Sequence, residues 1–192
     1  DHLTWLRRAP GLPYERPDRT AFLDRWRSKL PMRFDLPDHR FADALRAQAN
    51  YLAMASVGVE PRISPISYPL WWLRDGAYTV TAMGKAGLTE WTDRAVRSVA
   101  SRAPFGGFGS EGDGPGELIW IMTEHWLLTG DDAFLAEVFP HIRRNADLLV
   151  RMRHTTVPIF GKTDIRTPEM MFSNAADLMC RPSKDGLIDG RM

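Results

Sequence analysis

The chain has 192 residues, 44% of them hydrophobic, and is therefore long enough to bury a substantial core as a globular protein. Lys and Arg together number 25 against 24 for Asp and Glu, which leaves no net field to attract nucleic acid or an anionic membrane. The single cysteine excludes an internal disulfide framework, and no Cys/His cluster has metal-ligand spacing. We therefore expect a neutral ligand and no cofactor, metal, nucleic-acid or membrane partner.

The sequence contains no targeting or membrane signal that we recognise. No apolar run approaches the roughly 20 residues that cross a bilayer, and the start at Asp1 lacks a charged and then apolar secretory pattern. These features predict a cytoplasmic protein.

Residues 1–37 read as an N-terminal lead-in. Residues 1–17 are rich in Pro and Arg and show no period, whereas Asp18 to Leu30 has the pattern of a short helix with Asp18 as its cap and Pro31 as its stop. We assign residues 38–192 to one helical domain.

Two kinds of helix alternate along this domain. Helices with one apolar face are predicted over Asp38–Val57, over Thr89–Ala103 and from Asp131 or Asp132 to about Arg153. Leu70–Gly84 and Glu117–Thr129 are apolar on almost every side, so they are expected to be buried on most sides. The alternation predicts an all-α fold with inner and outer helix layers, although a bundle with two central helices fits equally well.

In the predicted one-faced helix after Asp38, the inward side chains are expected to be those that recur at helical spacing, namely Phe41, Leu45, Ala49, Leu52 and Ala53. Near the end of the chain, Met170 to Cys180 has the pattern of another helix, with Cys180 as a packing residue. No regular strand pattern competes with these helices.

Polar side chains gather where the two apolar helices begin. Trp71, Trp72, Arg74 and Asp75 open the first, and Glu111-Gly-Asp113-Gly-Pro-Gly leads into the second. Because both helices follow an outer helix and a loop, they should run parallel and begin at one rim. Indole faces stack on sugar rings, and guanidinium and carboxylate groups bond neighbouring hydroxyls. The pattern therefore predicts a sugar pocket, with Trp72 in the pocket and Trp71 in the core.

Two motifs resemble those of a known group of enzymes. Trp72-Leu-Arg-Asp75 is similar to the Trp-x-Arg-Asp motif of the six-hairpin glycosidases, and in particular of their glucoamylase-like family, which has an (α/α)6 barrel. The segment from Phe105 to Gly116, with Asp-Gly-Pro inside it, resembles the connection between the third and fourth barrel helices. The similarity extends over about Asp38 to Arg153 and includes Trp126-Leu-Leu and Phe139-Pro-His-Ile-Arg.

The resemblance implies a role for each residue of the predicted site. Arg74 and Asp75 would grip hydroxyls of the terminal sugar while Trp72 stacks nearby, and Asp113 would bond the loop or the substrate. Phe108 is offset by about one residue from an aromatic position of the family. The substrate-binding set that we predict comprises Trp72, Arg74, Asp75, Phe108, Glu111 and Asp113.

The resemblance also implies an inverting, exo-acting glycoside hydrolase for α-linked glucosides or related oligosaccharides. Inversion uses a carboxylic acid and a carboxylate about 6.5–9.5 Å apart. The family's base has no counterpart in the sequence, and Glu169, Asp185 and Asp189 are candidates for the acid by position alone, so the catalytic residues stay unassigned. We expect the chain to be the N-terminal half, or slightly less, of a barrel completed by further C-terminal sequence.

Each of these assignments has a simpler alternative. Arg74 and Asp75 would be an exposed ion pair, Asp113 a helix cap and Glu111 a solvated loop residue. His125, beside Glu124, suggests a metal ligand but is better interpreted as a satisfied core histidine. At the level of function, the alternatives are a non-catalytic carbohydrate-binding or scaffold module and a phosphorylase, for which the sequence shows no basic phosphate cradle.

Overall fold

The computed structural model of the protein describes residues 18–29, 33–64, 71–102, 111–161 and 177–190. Helices dominate these ranges: α1 (Arg19–Lys29), α2 (His39–Met54), α3 (Leu73–Lys85), α4 (Thr89–Ala100), α5 (Gly114–Thr129) and α6 (Asp132–His154). Five short strands accompany them: β1 (Ser56–Val57), β2 (Glu60–Pro61), β3 (Ile159–Gly161), β4 (Asp177–Arg181) and β5 (Asp189–Gly190). The predicted helical class is confirmed, whereas a closed ring of helical hairpins stays a prediction.

The predicted caps at Asp18 and Asp131 are in place, and Asp38 is a further cap; short acidic side chains satisfy backbone N–H groups that have no partner inside the helix. Asp18 accepts a hydrogen bond of 2.8 Å from the Thr20 backbone, and Asp38 accepts one of 3.0 Å from the backbone of Arg40. Asp131 accepts a bond of 3.0 Å from the Phe134 backbone and so starts α6.

Helices α3 and α5 run parallel, as predicted. Three contacts follow both helices in the same order: Arg74 with Glu117, Tyr78 with Trp120, and Lys85 with Glu124. Helix α4 runs the other way, because Asp93 near its start contacts His125 near the end of α5. The two parallel helices therefore begin at the same end of the fold.

The main core lies between α3, α4, α5 and α6. Its side chains are almost completely inaccessible to solvent: Ala77, Val80, Val96, Val99, Leu118, Ile121, Met122, Phe134 and Val138 are at most 2% exposed. Trp71 is 3% exposed and belongs to this core, which confirms its predicted packing role. None of the helices in the described ranges combines the length and the apolar character needed to span a bilayer.

The two apolar helices are buried on most sides, as predicted, but each has exposed positions. On α3, Asp75, Tyr78 and Ala82 form an exposed stripe at spacings of three and four residues, and on α5 Leu127 is 64% exposed. An apolar side chain is buried only where another element packs on its side of the helix.

The predicted inward face of α2 is wrong at Phe41 and Leu45 and confirmed at Ala49. Phe41 is 65% exposed and Leu45 47% exposed, while Ala42 and Ala49 are buried. Small alanines let the α2 backbone approach its neighbours closely, and the buried Ala42 lies about 100° around the helix from the exposed Phe41.

The expected helix from Met170 to Cys180 is wrong where the structure describes it, because Asp177–Arg181 forms strand β4. This strand is the centre of an antiparallel sheet of order β3-β4-β5. Residues 170–176 lie outside the described ranges. The apolar run at Leu178 suits a strand or a helix equally, and pairing with β3 decides between them. Cys180 is buried against Met152 of α6, which confirms its predicted packing role.

Candidate functional site

One arginine holds three carboxylates at the shared end of α3 and α5. Arg74 Nε donates to Asp113 Oδ2 at 2.8 Å, and Arg74 Nη2 donates to Glu111 Oε2 at 2.9 Å. Glu117 Oε1 lies 3.8 Å from Arg74 Nε. We call these four residues the Arg74 cluster.

The local sequence explains why these groups meet. Arg74 lies in the first turn of α3, while Gly114 and Pro115 begin α5 immediately after Asp113. Proline fits a first helical turn because its missing N–H has no intrahelical partner there. Glu117 lies one turn after Asp113, so both carboxyl groups are on the same side of the helix start.

The cluster carries more negative than positive charge, and this shapes its titration. The pKa of Glu117 is raised to about 7, chiefly by burial and also by the nearby Asp113, whereas Arg74 lowers it. The hydrogen bond that Arg74 donates to Asp113 raises the pKa of Arg74. Near neutral pH the Arg74 guanidinium is therefore charged, and Glu117 exchanges between its neutral and ionised forms.

Two acceptor oxygens of the cluster have no hydrogen-bond partner among the described residues. They are Asp113 Oδ1 and Glu117 Oε2, and both atoms are buried. A buried carboxyl oxygen without a partner is unfavourable, so both atoms would gain from a hydroxyl donor.

An open cavity of about 610 Å³ adjoins the cluster. Its walls come from α5, α6 and the end of the small sheet: Gly112, Asp113, Gly116, Glu117, Trp120, Leu149, Ile188 and Gly190. Gly190 and Gly112 touch backbone to backbone, since a Cβ on Gly190 would lie 3.0 Å from the Gly112 Cα. The sheet therefore closes one side of the cavity, which the sequence did not suggest.

The structure brings together only part of the predicted site. Arg74, Glu111 and Asp113 meet, but Asp75 is exposed on the next position of α3 and Trp72 is half-buried just before that helix. Asp75 is still close enough to raise the pKa of Glu117. Phe108 and Glu169 lie outside the described residues, and Asp185 and Asp189 are exposed.

Three of the simpler interpretations do not fit the geometry. Arg74 pairs with Asp113, Glu111 and Glu117 rather than with its neighbour Asp75. The Asp113 side chain makes no capping hydrogen bond to α5. Glu111 is not a freely solvated loop residue either, because its side chain is 13% exposed.

Sequence reasoning missed Glu117 and Trp120. The signal was available, because Asp113, Glu117 and Trp120 follow a spacing of four and then three residues, which places them on one side of a helix. Both residues belong to the segment that is predicted to be apolar on almost every side.

A second network lies toward the other end of α5. Arg97 donates to both oxygens of Asp93 at 3.0 and 2.9 Å and also to Glu137. His125 Nε2 lies 3.3 Å from Asp93 Oδ1, and the histidine is 3% exposed. The interpretation of His125 as a satisfied core histidine is confirmed. In the part of the chain that the structure describes, no three metal-ligating side chains group closely enough to hold an ion.

Comparison with protein-family models, with curated proteins and with solved structures finds no match to this chain. The Arg74 cluster and its cavity are therefore the features of the molecule that indicate its function.

Proposed function

We propose that the protein is a glycoside hydrolase acting from the end of an α-linked glucoside or related oligosaccharide, and that the Arg74 cluster grips the sugar. One observation carries the proposal: Arg74, Glu111 and Asp113 meet within hydrogen-bonding distance beside an open cavity. Hydroxyl groups of a neutral sugar donate to carboxylates and accept from guanidinium groups, so they match this mixture of donors and acceptors.

The helical arrangement supports the finer fold proposal, a toroid of hairpins with an inner and an outer layer. Parallel α3 and α5 would belong to the inner layer, and α4 and α6 to the outer one. In such a toroid the inner helices begin at one rim, where the Arg74 cluster lies.

The proposed chemistry is hydrolysis with inversion. A protonated carboxyl group gives its proton to the leaving oxygen, and a carboxylate activates the attacking water. The Arg74 cluster would hold the sugar ring during hydrolysis, and its hydrogen bonds would fix the ring orientation.

The test is an assay of the natural polypeptide that contains this sequence. Maltose, isomaltose and trehalose are incubated with it, and released glucose is measured together with its anomeric form by NMR. We expect β-glucose from at least one substrate and a loss of about a hundredfold in kcat/KM for Arg74→Ala. Arg151→Ala, at an exposed position of α6, is the matched control and should keep full activity.

Two results would count against this function: no sugar released from any of the three substrates, and no change in melting temperature when the sugars are added. Release of the attacked, nonreducing-end glucose of maltose or isomaltose as its α anomer would leave the glycosidase but contradict inversion, whereas inverting cleavage of trehalose gives one β-glucose and one α-glucose.

One observation favours the non-catalytic alternative. Nε and Nη2 of Arg74 are already used by its own chain, so the cluster also works as a clamp between α3 and the segment before α5. A pure clamp predicts that Arg74→Ala lowers the melting temperature and leaves sugar affinity unchanged. A carbohydrate-binding module predicts that sugar binds and is not cleaved.

A further inference from the structure

Among the described residues, Trp120 is the aromatic side chain that lines the cavity beside the Arg74 cluster. It lies three residues after Glu117 on α5 and is half-buried. Its indole contacts the ring of Tyr78 on α3 edge to face, with ring centroids 5.1 Å apart and planes at 66°. Tyr78 is itself 66% exposed, so the two rings form an aromatic surface in the groove between the parallel helices.

The cavity combines this indole with two carboxyl side chains. Asp113 and Glu117 line the same cavity, and each has one buried oxygen without a partner among the described residues. An aromatic wall next to carboxyl acceptors suits a ring with an apolar C–H face and hydroxyl groups at its edge. A pyranose ring has this structure.

We infer that Trp120, and not Trp72, is the stacking wall of the sugar subsite, with a neutral pyranose lying on its indole and donating hydroxyl groups to Asp113 and Glu117. The inference rests on the proposed sugar-binding function and assigns its specificity-determining residue. Trp72 precedes α3 and is not among the residues that line the cavity.

The charge of the Arg74 cluster favours a neutral sugar over an acidic one. Glu111, Asp113 and Glu117 surround one cation, Arg74, so a ligand that brings its own carboxylate meets repulsion. Maltose is therefore expected to bind more tightly than glucuronate. This preference separates a neutral-sugar subsite from a general anion site at a helix start.

The experiment is calorimetric titration of maltose into the natural polypeptide and into single tryptophan variants. Trp120→Ala is expected to weaken maltose binding by about tenfold or more, and Trp120→Phe by less. Trp72→Ala and Trp126→Ala are expected to bind like the wild type. Trp126 is the matched control, because it is a half-buried tryptophan on the same helix about 9 Å further along its axis.

Melting temperatures distinguish loss of the wall from loss of the fold. If Trp120→Ala does not fold, Trp120→Phe supplies the answer through tryptophan fluorescence, because a maltose-dependent change in wild-type emission should disappear with the Trp120 indole. A persisting change of the same size would overturn the assignment.

The outcomes separate the two proposals. An affinity loss in Trp72→Ala that equals or exceeds the loss in Trp120→Ala overturns Trp120 as the wall and leaves the sugar-binding function standing. Tighter binding of glucuronate than of maltose also overturns the subsite described here. Absence of any maltose binding by the wild type is instead a failure of the proposed function.

Discussion

The two arginine–carboxylate networks along α5 differ in how completely their oxygens are used. At Arg97, both oxygens of Asp93 accept hydrogen bonds, and His125 lies against the same carboxylate. At Arg74, Asp113 and Glu117 each keep an oxygen that no described residue bonds.

The two networks also differ in charge balance, because more carboxyl groups face Arg74 than face Arg97. Arg97 faces Asp93 and Glu137, with a histidine beside them, and both carboxylates raise the pKa of the guanidinium. Arg74 faces three carboxyl groups, and one of them, Glu117, has a pKa raised to about 7. Saturated bonding is typical of a structural clamp, whereas spare acceptors and a perturbed carboxyl are features of binding sites.

The largest expected effect comes from removing the perturbed carboxyl. Glu117 has a pKa of about 7 in the folded protein against an ordinary value of 4.5, so the folded state holds its proton over a wider pH range. The free energy of unfolding should therefore fall as pH rises from 4.5 to 7 and level off above 7. Glu117→Gln should remove this fall, which amounts to at most about 3 kcal/mol. Urea unfolding between pH 4 and 8 measures it.

The matching change in the other network is Glu137→Gln. Glu137 is 58% exposed, so this variant should follow the wild-type pH profile between pH 4.5 and 7. If the free energy of unfolding of Glu117→Gln falls with pH as steeply as that of the wild type, Glu117 does not cause this fall. The proposed electrostatic difference between the two networks is then wrong.

The next largest effect on stability is expected when each arginine is replaced by alanine. Arg74→Ala leaves three carboxyl groups together and should cost about 2 kcal/mol at pH 8, with a smaller cost at pH 5, where Glu117 is protonated. It should also raise the pKa of Glu117 above 7, because Arg74 lowers it in the wild type. Thermal unfolding at pH 5 and pH 8 measures the two stability costs, and an NMR titration of the carboxyl group measures the pKa of Glu117.

Arg97→Ala is the comparison for this variant and should cost about 1 kcal/mol, because His125 remains beside Asp93. Equal pH dependence in the two arginine variants would show that the excess negative charge at Arg74 has no energetic consequence.

The smallest effect concerns a helix cap outside both networks. Asp131→Ala removes the hydrogen bond to the Phe134 backbone and should lower stability by about 1 kcal/mol. Asp113→Ala removes no cap, since the Asp113 side chain makes none, so any loss should depend on Arg74 and vanish in the Arg74→Ala background. A loss that persists in that background would assign Asp113 to the helix rather than to the cluster.

Local patterns predicted the helices and their starts well. The caps at Asp18 and Asp131 and the parallel course of α3 and α5 follow from short-range rules and from chain order. The meeting of Arg74 with Asp113 follows from the same reasoning, because parallel helices place their first turns at one end.

Features that depend on distant packing were not predictable in this way. Strand β4 forms because Cys180 finds partners on both sides, at Ile159 and Gly190, which no local period reveals. Glu117 was hidden in an apolar run, and its raised pKa arises from burial that only the assembled helices create. Exposure of Phe41 likewise depends on which face of α2 meets its neighbours.

The most direct test of the sugar site is a crystal structure of the natural polypeptide soaked with maltose. The account predicts a glucose ring against Trp120, with one hydroxyl about 2.5–3.0 Å from Asp113 Oδ1 and Arg74 still bonded to Asp113. Maltose bound away from the Arg74 cluster, or a cavity beside Trp120 that holds only water at saturating maltose, would contradict it.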